Sequence, residues 1–144
     1  MEFYNIILHA HKGFAYLELA LVAAFLILLL VTMFGYSGNV SKALRKVTLF
    51  TMIFFHIQFL IGLVMLFVSP GLKAAISSGT LMSDAYARFQ YVEHPSSMLI
   101  AAVLMTILNK KIKTNDKITI PVVSLGLVAV ALFVFAFPWS RVFG

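Results

Sequence analysis

FAYLELALVAAFLILLLVTMF, residues 14–34, carries a single charged side chain, Glu18, in an otherwise apolar or neutral run. A helix needs roughly 20 such residues to cross the hydrocarbon core of a bilayer. Gly35, Ser37, Gly38 and Asn39 end the run, and a helical approach to it begins near Tyr4. Three more apolar hearts follow: Val47–Val68, Val92–Leu108 and Ile118–Phe137. With their helical extensions, the spans are expected at about 4–35, 46–69, 84–109 and 118–138. The 144 residues are 62% hydrophobic and 11% charged, which leaves too little polar sequence for a second domain. The expected fold is therefore all-α, a single transmembrane domain over 1–144. Short connections between four spans favour an up-and-down four-helix bundle.

The charges fit the same reading. The chain has a formal charge of +6, but its cations fall in short loops rather than on one solvated face. A nucleic-acid partner is therefore not expected. Lys42, Arg45 and Lys46 follow the first span; Lys110, Lys111, Lys113 and Lys117 follow the third. Basic loops stay on the cytoplasmic side, so both termini are expected outside. Lys12, Lys73, Arg88 and Arg141 on the other side are offset by Glu2, Asp84 and Glu93. The start, Met1-Glu2, lacks the basic region of a signal peptide, and no A-x-A-like site follows the first run, so it reads as a spanning helix. The absence of cysteine excludes disulfides, thiolate metal sites and thiol redox chemistry.

The longest connection, Ser69 to Tyr91, opens with Pro70-Gly71 and is broken at Ser77-Ser78-Gly79. Ser83-Asp84 has the character of a helix N-cap. A helix beginning at Pro95 would be too short to span, so the third helix is expected to start near Asp84 and to kink around Pro95.

Chemistry in such a chain falls to its histidines. An ionisable group inside a bilayer is costly and is a functional hypothesis by default. Neutral imidazole is also the commonest metal ligand from protein. His11 lies about 10 Å along the first helix from Tyr4, and His94 about 15 Å along the third from Asp84. The two share a level in the outer half of the membrane, on diagonal corners of a square bundle. Two imidazoles so placed can clamp a planar macrocycle, which points to bis-histidine haem b with His11 and His94 as metal ligands. His56 is deeper, near the bilayer centre, as an alternate ligand, a quinone contact, a proton relay or an interhelical hydrogen-bond partner. His9 is two residues from His11, cannot share its face, and reads as a rim residue. Glu18, seven residues after His11 on the same face, reads as a proton relay, a partner for a histidine nitrogen, or a protonated and inert carboxyl. Lys12, Arg88 and Arg141 are the nearest cations for the carboxylates of such a macrocycle. Met52 and Met98, each four residues from a histidine, read as packing residues first and alternative axial ligands second.

Four motifs carry a resemblance: His9-Ala10-His11-Lys12-Gly13, Phe55-His56-Ile57-Gln58-Phe59-Leu60-Ile61-Gly62, Val92-Glu93-His94-Pro95 and Phe137-Pro138-Trp139. Over nearly its whole length the chain resembles small four-helix membrane proteins of Bacteroidota that carry a cytochrome b-like label. That implies a multi-pass protein of the bacterial inner membrane. More weakly, it is similar to one half of haem A synthase, with His11 and His94 in the ligand places and Gln58-x-x-x-Gly62 in the outward-running helix. The synthase uses two bundles where this chain has one, so the resemblance implies the fold and not the synthase activity. Ala15-Tyr16 stands where many of the small proteins have Arg-Trp, so no arginine for haem propionates is carried over from them.

The function expected is electron transfer through haem b, with the lipid bilayer, a redox partner such as a quinone, or a larger membrane complex as surroundings. Two rival expectations remain: a small non-enzymatic subunit of a larger complex, and a carrier of protons or metal ions through His56 and Glu18.

Overall fold

The computed structural model describes residues 2–144, which are mostly helical, with no strand among them. α1 spans Glu2–Gly35 and α2 spans Lys42–Val68. α3 (Pro70–Ser77) follows at once, and α4 (Ala85–Arg88) runs through a π-helical turn, Phe89–Glu93, into α5 (His94–Thr114). α6 is Ile120–Ala136 and α7 is Trp139–Phe143. α1, α2 and the continuous stretch Ala85–Thr114 are long and apolar enough to cross a membrane, whereas α6 is equally apolar but only 17 residues long.

Local chemistry explains these limits. The Ser41 hydroxyl accepts from the Leu44 N–H at 3.1 Å, so α2 starts ahead of its apolar heart. The Asp84 carboxylate caps the third long helix by accepting from the Ala87 N–H at 2.7 Å. Pro95 has no N–H, and its ring would crowd the carbonyl four residues back. The chain widens to i→i−5 bonding there: the His94 N–H donates to the Phe89 carbonyl. The expected disturbance at Pro95 thus takes the form of one π-helical turn in an unbroken helix. α5 continues past Lys110-Lys111, because Lys111 and Lys113 suit the negative end of its dipole. α3 and α7 lie outside the four expected spans. Ser69 caps α3 through its side chain, accepting from Leu72 N–H at 3.2 Å, and Pro70 takes the first-turn position it suits.

The apolar helices pack in cyclic order: α1 on α2, α2 on α5, α5 on α6, and α6 back on α1. α1 and α5 therefore face each other across the middle. The buried positions of α1 are Ala15, Glu18, Val22, Phe25, Leu29 and Thr32; those of α2 are Leu44, Thr48, Thr51, Phe55 and Gln58. Steps of three and four residues keep one stripe on one side of a helix. Between helices in lipid, packing contacts replace the hydrophobic effect, so close approach matters. Gly126 of α6 supplies it: a β-carbon there would run into Leu29 at 2.6 Å. Thr48 and Thr51 return their hydroxyl protons to the Leu44 and Val47 carbonyls, both at 2.7 Å, so no polar group there is left bare.

The two lysine-rich loops meet at one end. The Ile118 N–H donates to the Gly38 carbonyl at 2.9 Å, and the Val40 N–H to the Asp116 carbonyl at 2.9 Å. Gly38 has φ 81°, and a β-carbon there would lie 2.8 Å from the Ile118 carbonyl oxygen, so glycine is required. At the opposite end the Tyr16 hydroxyl donates to the Val142 carbonyl at 2.8 Å, tying the C-terminal turn to α1.

Candidate functional site

A cavity of about 820 Å³ opens at the end of the molecule away from the lysine-rich loops. That volume is within the roughly 300–1,000 Å³ usual for small-molecule and cofactor sites. Its wall is apolar and aromatic, with Phe55 and Phe133 stacked at 5.6 Å between ring centres and Phe133 against Phe137 at 5.4 Å. Its polar groups include His11, Lys12 and Glu18 from α1, Gln58 from α2, His94 from α5, and Arg141 from α7.

His11 and His94 come together from opposite helices. Their ring centres are 6.2 Å apart, with planes at 84°. Two imidazoles bonded to one metal ion at about 2 Å each would have ring centres about 6 Å apart. The orientation of His94 follows from how α6 ends. Pro138 cannot donate to the Val134 carbonyl, and the Trp139 indole N–H takes that acceptor at 2.9 Å. With the helix stopped, the Ala136 carbonyl is one of the orphans of its last turn. His94 Nδ1 lies 2.6 Å from it. A carbonyl only accepts, so Nδ1 carries the proton and Nε2 keeps its lone pair.

His11 is set differently. Its Nδ1 is buried without a partner, as is Gln58 Oε1, and no other buried side-chain nitrogen or oxygen among the described residues is left so. Gln58 Nε2 donates to the His11 backbone carbonyl at 2.7 Å. Gly62, one turn beyond Gln58, lets α2 close on the ring: a β-carbon there would stand 3.2 Å from His11 Cε1.

The other expected residues divide. Glu18 is buried, 5% exposed, and lines the deep part of the cavity with no ion-pair partner among the described residues. Lys12 and Arg141 line its mouth; the Arg141 guanidinium donates to Gln90 Oε1 and lies 3.9 Å from the centre of the Tyr86 ring. Arg88 does not line the cavity. It is bonded to Glu93 at 3.1 Å and to the Met82 carbonyl at 2.8 Å, which fastens the α3–α4 connection. Met98 lines the cavity and Met52 does not. His9 is exposed.

His56 corrects the expectation of an alternate ligand beside His11 and His94. It does not line their cavity; it faces outward, exposed, with Nε2 2.8 Å from Thr106 Oγ1. Thr106 spends its own proton on the Ala102 carbonyl at 2.8 Å, so His56 is the donor in an α2–α5 bond. The reason is rotational. Phe55 and Gln58 mark the inward stripe of α2, and one residue is about 100° of turn in a helix.

Among the described residues no three His, Cys, Asp or Glu side chains gather as a metal-binding group. His11 and His94 face each other over the cavity as a pair. Gln58 and the Ala136 carbonyl were not singled out from sequence as supports of the pair. The proline two residues beyond Ala136 was the available signal for the second. Searches of protein families, of curated proteins and of solved structures return no match to this chain.

Proposed function

We propose that this chain is a haem b-binding protein of the bacterial inner membrane serving electron transfer, a cytochrome b-like four-helix bundle with both termini outside. The observation that supports it most is the meeting of His11 and His94 over one cavity, at the ring separation two ligands of a single metal need. A bis-histidine haem supplies one-electron exchange at a low-spin iron without an open position for oxygen. The protein's part is to hold both imidazoles. His94 is fixed by the Ala136 carbonyl with Nε2 free. His11 is set against Gly62 and held by its backbone through Gln58. Lys12 and Arg141, at the cavity mouth, are placed to bind carboxylates. Phe55, Phe133 and Phe137 exclude water. Glu18 is the carboxyl at which a proton would be held in the cavity's deep part. A quinone or a larger respiratory assembly is the partner this reading calls for, because one haem does not carry electrons across the membrane alone.

A second reading, as a non-enzymatic subunit of a larger membrane complex, draws on a different observation. The His56–Thr106 pair lies on an outer face, where a neighbouring helix would cover it.

Absorption spectra test the first reading. The protein is made with haem in sufficient supply, purified in detergent, and recorded oxidised and dithionite-reduced. A Soret band with a sharp reduced α band is expected, and its absence overturns the cytochrome reading. His11→Ala and His94→Ala are expected to abolish the low-spin spectrum. Its survival in either variant overturns that ligand pairing.

A further inference from the structure

Two buried side-chain atoms lack hydrogen-bond partners, His11 Nδ1 and Gln58 Oε1, and they belong to residues already in contact. The contact fixes which way the amide faces. Only its NH₂ end can donate to the His11 carbonyl, so Nε2 takes that place, 2.7 Å away, and Oε1 is the other end. Oε1 can only accept, and an imidazole Nδ1 donates when it carries the ring proton. Each atom is what the other lacks.

We infer that Gln58 is the positioning residue of His11: its Oε1 accepts from His11 Nδ1 while its Nε2 holds the His11 carbonyl, fixing the tautomer whose Nε2 faces the cavity. The inference rests on the haem reading for its purpose, since the tautomer so fixed is the one that leaves Nε2 free for a metal. One amide then grips both the main chain and the ring of the same residue. His94 has the equivalent support from the Ala136 carbonyl, so both ligands would present Nε2 with a hydrogen-bonded Nδ1 behind it. Glu18 is a poorer candidate for that part, because it lies two helical turns, about 10 Å, deeper on α1. Gly62 completes the arrangement. A side chain there would stand against the edge of the ring that joins its two nitrogens, with 3.2 Å to Cε1 and 3.9 Å to Nδ1.

Three proteins test it: the full chain, Gln58→Leu and Gln58→Glu, each titrated with haem in detergent, with the reduction potential then measured. Nitrogen NMR of the histidine-labelled protein without haem, assigned with His11→Ala, reads the protonated nitrogen of His11 directly. Gln58→Leu is expected to weaken haem uptake by about 10- to 100-fold, to raise the potential, and to mix the His11 tautomers. Gln58→Glu keeps the size and an acceptor oxygen, so it is expected to keep haem and to lower the potential. A full chain that binds haem while both variants match it in affinity and potential overturns the role of Gln58 and leaves the haem reading standing. A full chain with no low-spin spectrum overturns the haem reading and the inference together. Failure of Gln58→Leu to fold leaves Gln58→Glu and the nitrogen spectrum to decide: an unchanged potential or a His11 protonated at Nε2 refutes the inference.

Discussion

At the residue scale, placement around a helix separates histidines that look alike in sequence. His11 and His94 turn inward to one cavity, and His56 turns outward to Thr106. His56→Ala is therefore expected to leave any low-spin haem spectrum unchanged and to lose one interhelical hydrogen bond. A double-mutant cycle with Thr106→Ala in a detergent unfolding assay should return a coupling of about 0.6 kcal/mol, the usual size for such bonds in membrane proteins. Loss of the spectrum in His56→Ala would show that His56 acts at the metal. Gly62 gives a second residue-level outcome. Gly62→Ala places a β-carbon 3.2 Å from His11 Cε1, so the ring must give by a few tenths of an ångström. Haem affinity is expected to fall by about tenfold, as for a disturbed ligand support, with little change in helix content by circular dichroism. Unchanged affinity would mean that the ring has room to move.

At the scale of elements, the ends of helices set the site as much as their faces do. α6 stops at Ala136 because Pro138 lacks an N–H, and this stop frees the carbonyl that orients His94. With Pro138→Ala, α6 can run on. Residue 140 would then reach the Ala136 carbonyl, and the Trp139 indole would lose its place at Val134. The expected result is a weaker hold on His94 and an about tenfold loss of haem affinity, read by the same titration. An affinity equal to that of the unmodified chain would show that His94 does not depend on the end of α6. The π-helical turn before Pro95 is a comparable device. Extra width over Phe89–Glu93 lets the helix reach His94 unbroken despite the proline. The proline predicted a disturbance at this point. Its form was not legible, because a kink and a widened turn both relieve the same clash.

For the whole molecule, the pairing of the two lysine-rich loops at one end and the cavity at the other gives the structure two distinct poles. If both termini are outside, the cavity opens toward the outer face. The cysteine-free sequence makes this simple to test. Single cysteines in Asn39→Cys and Ser140→Cys are probed with an impermeant maleimide on intact spheroplasts. Ser140→Cys is expected to label at once, and Asn39→Cys only after permeabilisation. The reverse pattern would invert the topology and place the site on the cytoplasmic side.

Much of this could be read without coordinates. The apolar runs set the helical class, the basic loops set a common end for the first and third connections, and helical rise put His11 and His94 at one level. These properties depend on composition and on distance along the chain, which the sequence states directly. Other features depend on what lies beside a residue in space. The outward turn of His56 to Thr106, the grip of Gln58 on His11 and the hold of the Ala136 carbonyl on His94 each need a neighbour from a distant part of the chain. Periodicity fixes how residues are spaced around a helix, and packing against the other helices fixes which way that helix faces.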